Sequence, residues 1–174
     1  MKFILMTLFI ITSIFSENKF LFYAVETNDL AYVENAIKSG VSIQTKDRHG
    51  TSLFINAARF GSFEIVKFLL EKGINLNETE LSGLTALHLA AYNGHTKIVE
   101  YLLSKNAKVD LRDIAGNTPL SLASNRGYLE VIKILIKYNA NINAVDKLGY
   151  TVLQEAKVRK HNSIVSYLES LGAK

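Results

Sequence analysis

A spacing of 33 residues recurs along this 174-residue chain and constrains its fold more than any other feature. Glycine occupies one position of the period throughout, at Gly50, Gly83, Gly116 and Gly149. A period that holds for helix-forming and turn-forming residues alike is typical of a stacked repeat architecture. Alanine occupies a second position of the same period, at Ala24, Ala57, Ala90, Ala123 and Ala156.

The period divides the chain after its first sixteen residues into five units. Residues 17–174 are expected to form one repeat domain, which starts with an amino-terminal capping unit over 18–46. Each full repeat opens with an acidic residue, has glycine at its fourth position and is expected to contain two short helices. The three full repeats cover 47–79, 80–112 and 113–145, and a carboxy-terminal capping unit covers 146–174.

The second helix of each full repeat carries an apolar stripe that is too wide for one neighbour. In the middle repeat, Ile98 and Val99 are followed at helical spacing by Leu102 and Leu103. This spacing places all four side chains on one side of a helix. No unit can bury such a surface alone, so we expect stability to be a sum of unit and interface terms.

The last unit carries charges where the full repeats have small or apolar residues. Lys157 replaces alanine or serine, Lys160 replaces the turn glycine, and Glu169 replaces leucine or isoleucine. In the full repeats these positions are expected to face the next unit. The pattern therefore predicts that no further repeat follows.

The repeat resembles the ankyrin repeat, whose 33-residue unit contains a Thr-Pro-Leu-His-x-Ala sequence. Thr118–Ala123 keeps the proline and lacks the histidine, whereas Thr85–Ala90 keeps the histidine and lacks the proline. The resemblance covers residues 20–174. It implies an all-α solenoid of stacked antiparallel helix pairs, with β-hairpin fingers projecting from one edge. It also implies protein–protein recognition, with no catalysis and no cofactor in the repeats.

The resemblance further implies where a protein partner binds. The contact positions are the finger tips and the solvent-facing start of the inner helices. Several of these positions are apolar or aromatic, and a finger has no core of its own in which to bury them. They either form an interface of apolar side chains and arginines or pack only against neighbouring fingers. The predicted contact residues are Arg48, His49, Arg59, Phe60, Leu81, Leu84, Tyr92, Asn93, Ile114, Asn125, Arg126, Leu148 and Tyr150.

Reactive side chains show no arrangement that indicates chemistry. The chain has no cysteine, no Gly-x-Ser-x-Gly elbow and no glycine-rich phosphate loop, so we predict no catalytic, metal-binding or cofactor-binding residues. The four histidines fit the repeat instead. We expect structural roles for His88 and His95, place His161 in register with His95, and predict a contact role for His49 on a finger.

Asn77 begins a sequence that matches an N-glycosylation acceptor. It also aligns with Asp110 and Asn143 at a turn position, which favours a hydrogen-bonding role in a loop. The formal net charge of +4 is too small to indicate a nucleic-acid or anionic-membrane partner without a clustered basic face.

The first sixteen residues have the pattern of a secretory signal peptide. A basic start is followed by a run free of charges over 3–15, and the small residues Ser13 and Ser16 precede a possible cleavage site. The apolar run is shorter than the roughly 20 residues that a membrane-spanning helix needs. We therefore predict cleavage near Ser16. An uncleaved amino-terminal anchor and a buried helix of the fold are the alternatives.

These observations predict an exported, monomeric and non-catalytic module that binds a protein partner, located in a bacterial periplasm or outside the cell. We expect neither nucleic acid nor a small-molecule substrate as its ligand. A membrane-tethered adaptor that keeps the amino-terminal segment is one alternative, and a bacterial effector acting inside another cell is a second. An enzyme scaffolded on the repeats is a third, although the repeats occupy nearly the whole chain after residue 16.

Overall fold

The computed structural model describes residues 19–174, which form a stack of short helices. The signal peptide predicted for residues 1–16 lies outside the described residues. The ten helices within residues 19–174 are α1 over 19–26, α2 Leu30–Lys38, α3 Leu53–Phe60, α4 Phe63–Glu71, α5 Ala86–Tyr92, α6 Thr96–Ser104, α7 Pro119–Arg126, α8 Leu129–Lys137, α9 Val152–Val158 and α10 Asn162–Ser170. Odd-numbered helices are called inner and even-numbered helices outer.

The helices stack in the order in which the chain makes them. The inner helices α3, α5, α7 and α9 pack on one another in sequence, and the outer helices α2, α4, α6 and α8 do the same. Only two residues separate α3 from α4, so the two helices of a pair run antiparallel. This arrangement confirms the predicted all-α solenoid.

The apolar core runs through the stack as one continuous cluster between helix pairs. The four predicted stripe residues Ile98, Val99, Leu102 and Leu103 of α6 are all buried, and Ala90 of α5 has no exposed surface. Burying a valine, leucine or isoleucine side chain contributes about 1.5–3 kcal/mol relative to leaving it in water. Since both sides of a pair are covered by neighbours, the core exists only in the stack.

Each inner helix after the first begins with a hydroxyl side chain that caps it. The Thr85 side chain accepts a hydrogen bond from the backbone N–H of His88, and the His88 side chain accepts one from the backbone N–H of Thr85. Such reciprocal caps satisfy two amides that a helix start leaves without partners. Thr118 and Thr151 form the same reciprocal cap, whereas Ser52 only accepts from Ile55 N, because the Ile55 side chain has no polar group. In the first unit, Asp29 caps α2 by accepting from Tyr32 N, and Asn28 lies beside it with φ +57°.

The acidic residue that opens each full repeat folds the finger around its carboxylate. Oδ1 of Asp47 accepts the backbone N–H groups of His49 at 2.8 Å and Thr51 at 2.9 Å. Burial raises the pKa of Asp47, but these amide bonds outweigh it and hold that pKa below its usual value. Glu80, Asp113 and Asp146 make corresponding bonds in the later fingers. The fingers are minimal hairpins, because only isolated antiparallel bridges occur within residues 19–174.

The turn between inner and outer helices leaves room for the next repeat. Gly94 has φ +75°, and a Cβ at this position would lie 2.6 Å from Cε1 of Tyr128. Tyr128 begins the outer helix of the following repeat, so its ring rests directly on the Gly94 backbone. Gly94 is thus required for its backbone conformation and for the space it leaves.

At the last unit, the predicted charges pair with each other across the exposed end of the stack. Lys157 Nζ lies 2.8 Å from Glu169 Oε1, and both side chains are about half exposed. Lys160 adopts the left-handed conformation of the turn glycine that it replaces, with φ +60°. Exposed pairs of this kind contribute little to stability, on the order of 0–1 kcal/mol.

We predict that Gly94→Ala destabilises the protein more than Gly73→Ala. Gly73 also has a positive φ, +85°, but a Cβ there would meet no atom within 4 Å. Both changes impose a left-handed strain of about 1–2 kcal/mol. Only Gly94→Ala adds the clash with Tyr128, for which we expect about 1–3 kcal/mol more. Urea unfolding followed by circular dichroism measures the difference, and equal midpoints for the two variants would contradict this account.

Candidate functional site

The fingers form a continuous row because each one rests on the finger before it. A Cβ on Gly50 would lie 2.9 Å from Cγ of Leu81, so the Leu81 side chain covers the Gly50 backbone of the preceding finger. Backbone bonds join later fingers, from Ile114 N to Ser82 O at 2.9 Å and from Lys147 N to Ala115 O at 3.0 Å. The row is therefore held in place by the backbone as well as by side chains.

Apolar side chains at the finger tips stay in solvent even though the fingers contact one another. Leu81 is 73% exposed, Ile114 is 62% exposed and Leu148 is 82% exposed. Contact between neighbouring fingers thus covers only a small part of each side chain. Arg48 and His49 are also exposed on the first finger, where Arg48 Nε donates to His49 Nε2 at 3.0 Å.

The inner-helix contact residues lie at the end of each inner helix, and the expectation that they lie at its start is wrong. Arg59 and Phe60 close α3, Tyr92 closes α5, and Arg126 closes α7. They follow the buried alanines at mid-helix, where the next inner helix leaves no room for larger side chains. Phe60, Tyr92 and Arg126 are exposed, so the surface lies along the carboxyl ends of the inner helices.

Polar contacts fix several of these inner-helix side chains. The guanidinium of Arg126 lies 4.8 Å from the centre of the Tyr92 ring in the preceding repeat, which is cation–π geometry. Asn93 Nδ2 donates to Leu89 O at 2.9 Å, and Asn125 Nδ2 donates to Glu155 Oε2 at 2.6 Å. The two asparagine amides thus already have one partner each within the stack.

Leu84 and Tyr150 share a repeat position but differ in burial. Leu84 is half buried and packs against the core, whereas Tyr150 on the last finger is exposed. Position in the repeat therefore does not decide exposure here. Leu84 therefore does not belong to the exposed part of the row.

A cavity of about 580 Å³ lies at the amino-terminal end of this surface. Four predicted contact residues line it, namely Arg48, His49, Arg59 and Phe60. Sequence reasoning missed the lining residues of α1, because the first unit was interpreted only as a cap. The period could have indicated them, because Tyr23 lies 33 residues before Asn56 of α3, which also lines the cavity.

The buried histidine of the second inner helix is structural, as predicted. His88 Nδ1 faces the Thr85 backbone N–H at 3.2 Å, and Nε2 lies 3.2 Å from the carbonyl of Asn117 in the next finger. An N–H can only donate, so Nδ1 accepts and Nε2 carries the proton of a neutral ring. Burial lowers the pKa of His88, although the Asn117 carbonyl and the nearby Asp113 oppose the shift.

Two further histidines and Asn77 also join neighbouring repeats. His95 Nε2 lies 2.9 Å from Arg59 O, and His161 Nε2 lies 3.1 Å from Asn125 O, each in the repeat before. Asn77 Oδ1 accepts from Lys108 N at 2.9 Å, which confirms its predicted hydrogen-bonding role in a loop.

Residues 19–174 contain no group of three or more histidine, aspartate or glutamate side chains that could hold a metal ion. None of the helices in this part of the chain has the length and apolar character needed to cross a membrane.

Fold and surface together define a helical repeat solenoid with finger loops along one edge. Comparison with protein families gives two matches, "Ankyrin repeats (3 copies)" over residues 21–113 and "Ankyrin repeats (many copies)" over residues 105–156. The first match alone spans more than half of the chain, and the chain belongs to the ankyrin repeat family. Comparison with curated protein sequences gave no significant match. Ankyrin repeats generally mediate protein–protein interaction and are typically non-enzymatic.

We predict that the stability of this protein falls as the pH drops below about 6.5, the pKa of an unfolded histidine, and that His88 carries part of the loss. Because the folded ring has the lower pKa, the unfolded chain binds more protons in this window, and stability is complete only above it. For one proton, the free energy of unfolding changes by at most about 1.4 kcal/mol per pH unit.

His88→Gln is the matched variant for this prediction. Gln154 occupies the equivalent position in the last unit, where its Oε1 accepts from Thr151 N at 2.8 Å, so glutamine can keep the cap without titrating. Urea unfolding at several pH values should give a shallower pH dependence for His88→Gln than for the wild type. Parallel profiles would show that His88 does not contribute.

Proposed function

We propose that this protein is an exported, non-catalytic module that binds a protein partner along its finger row and the carboxyl ends of its inner helices. The observation that carries the proposal is the fixed display of exposed Leu81, Ile114 and Leu148 beside exposed Phe60 and Tyr92. Large apolar and aromatic side chains in one continuous exposed surface are typical of interaction sites.

The composition of this surface supports a protein partner. Aromatic residues and arginine are enriched at protein interfaces, and Arg126 stacked on Tyr92 combines both in one exposed pair. Finger tips provide apolar area, and the inner-helix ends provide aromatic anchors with adjacent cations. A protein surface offers complements to each of these groups within one interface.

The rigidity of the display also favours binding. The carboxylate of Asp146 accepts the backbone N–H of Leu148 within its own finger, and backbone bonds such as Lys147 N to Ala115 O join neighbouring fingers. Side chains presented by such a scaffold lose less conformational freedom on association than side chains on a loose loop. A larger share of the contact energy therefore appears as affinity.

Export is proposed from the first sixteen residues alone. A short basic start, an uncharged run over 3–15 and small residues before Glu17 are the features of a cleaved secretory signal. We expect protein isolated from its native host to begin near Glu17, as measured by intact mass spectrometry. A mass that includes residues 1–16 would favour the membrane-tethered alternative.

We predict that the double variant Phe60→Ala, Tyr92→Ala binds its protein partner much more weakly than the wild type. Truncating two central aromatic anchors costs on the order of 2 kcal/mol or more in affinity. Helix content and the unfolding midpoint should change little, because both side chains are exposed. Crosslinking pull-downs from the native compartment, quantified by mass spectrometry, compare the variants.

The control is Tyr32→Ala, which removes an exposed aromatic from the outer helix α2, away from the proposed surface. It should capture the partner as the wild type does. Undiminished capture by the double variant would exclude this surface as the binding site.

A further inference from the structure

The cavity at the amino-terminal end of the stack is built from three elements of the chain. Phe22 and Tyr23 of α1 form one wall, the first finger with Arg48 forms a second, and Arg59 and Phe60 of α3 form a third. Its volume of about 580 Å³ is within the range of pockets that bind ligands of a few linked groups.

Positive charge predominates among the side chains that line the cavity. Lys19, Lys46, Arg48 and Arg59 bring four cations, whereas Glu26 and Asp47 bring two carboxylates. Oδ1 of Asp47 is already used by two backbone N–H groups of the finger. The cavity thus offers cations to a ligand while one of its two acids is engaged in holding the loop.

The cavity cations have no acidic partner among the described residues, unlike Lys38, Lys67, Lys133 and Lys137 of the outer helices. The salt bridges within residues 19–174 lie on outer helices or join Lys157 to Glu169, and none includes Lys46, Arg48 or Arg59. A charged group of opposite sign from a ligand would therefore gain Coulomb energy here without breaking a pair in that part of the chain.

The remaining lining is aromatic, with one buried polar group. Phe22, Tyr23 and Phe60 line the cavity, and Tyr23 is 63% and Phe60 45% exposed. Asn56, only 4% exposed, adds an amide that can both donate and accept hydrogen bonds. Rings beside cations suit a ligand that carries an apolar or aromatic group next to a carboxylate.

We infer that this cavity binds an acidic segment of the protein partner, with an aromatic side chain seated among the three rings and flanking carboxylates paired with Arg48 and Arg59. This inference rests on the proposed function and names the chemistry of the partner. A peptide fits better than a nucleic acid, because the surface leading away from the cavity continues through the exposed apolar side chains of Leu81 and Ile114, which offer phosphates no charged partner.

Defined peptides test the inference with the full chain. The probe is the blocked peptide Gly-Ser-Glu-Phe-Glu-Ser-Gly, compared with versions in which Gln replaces both Glu or Ala replaces Phe. Isothermal titration gives affinities, and backbone amide shifts locate the site. We expect the acidic aromatic peptide to bind at least about tenfold more tightly than either relative, with shifts confined to residues 46–49, 56–60 and α1.

Two single variants separate charge recognition from folding. Arg48→Ala removes an exposed guanidinium, and Arg59→Ala keeps the backbone carbonyl that His95 uses. Each should weaken the acidic peptide by about tenfold and leave the Gln peptide unchanged. Arg159→Ala, an exposed arginine at the other end of the stack, is the matched control and should change neither. If Arg59→Ala unfolds the protein, Arg48→Ala alone decides.

Several results would overturn the inference. The inference fails if the acidic peptide does not bind, or if the Glu and Gln peptides bind equally. It also fails if the amide shifts lie outside the cavity, or if an oligothymidylate binds more tightly than the acidic peptide. The double variant Phe60→Ala, Tyr92→Ala could lose partner capture while both arginine variants keep it. That result would reject the cavity as the anchor of the partner and leave the proposed function in place. Peptide binding without capture of any protein would reject the proposed function and with it the assignment of the ligand to a partner.

Discussion

Burial of apolar surface between neighbouring helix pairs is the interaction on which the rest of this structure depends. The side chains of Ile98 and Leu102 lie at the boundary between repeats and have almost no exposed surface, although a single helix pair has no interior of its own. Each repeat therefore supplies half of two interfaces, and stability accumulates along the stack. Charges such as Lys157 and Glu169 are tolerated only where a face of the stack is open to water.

Polar groups in the loops fix the register in which these apolar faces meet. Ser62 Oγ donates to Val25 O at 2.5 Å, and His95 repeats the contact one unit later with Arg59 O. On the opposite side of the repeat, Asp110 accepts from Asn141 N at 3.1 Å, as Asn77 accepts from Lys108 N. Hydrophobic burial is not directional, whereas hydrogen bonds are. The loop bonds thus select one offset between neighbours, and that offset places the fingers in a row.

Periodicity predicts most of this fold but only part of its surface. The helix pairs and the structural role of His88 follow from residue types at fixed positions, because backbone requirements recur with the period. Exposure does not follow in this way. Leu84 is half buried although Tyr150, at the same position, is exposed, since burial depends on the neighbour that each finger meets. The Arg126–Tyr92 contact and the cavity beside Tyr23 depend on side-chain directions between repeats, which one repeat considered alone cannot provide.

Residues that hold the stack together are separate from residues that form its exposed surface. In α5, Ala90 and Ala91 are buried at the interface with the neighbouring helices, and Tyr92 directly after them is exposed. A change at Tyr92 alters the surface without opening a cavity in the core, whereas a change at Ala90 forces neighbouring helices apart. The exposed surface and the stability of the stack thus depend on different residues of the same helix. The amino-terminal cavity extends this arrangement, because the charges of Arg48 and Arg59 lie on the scaffold and take no part in its core.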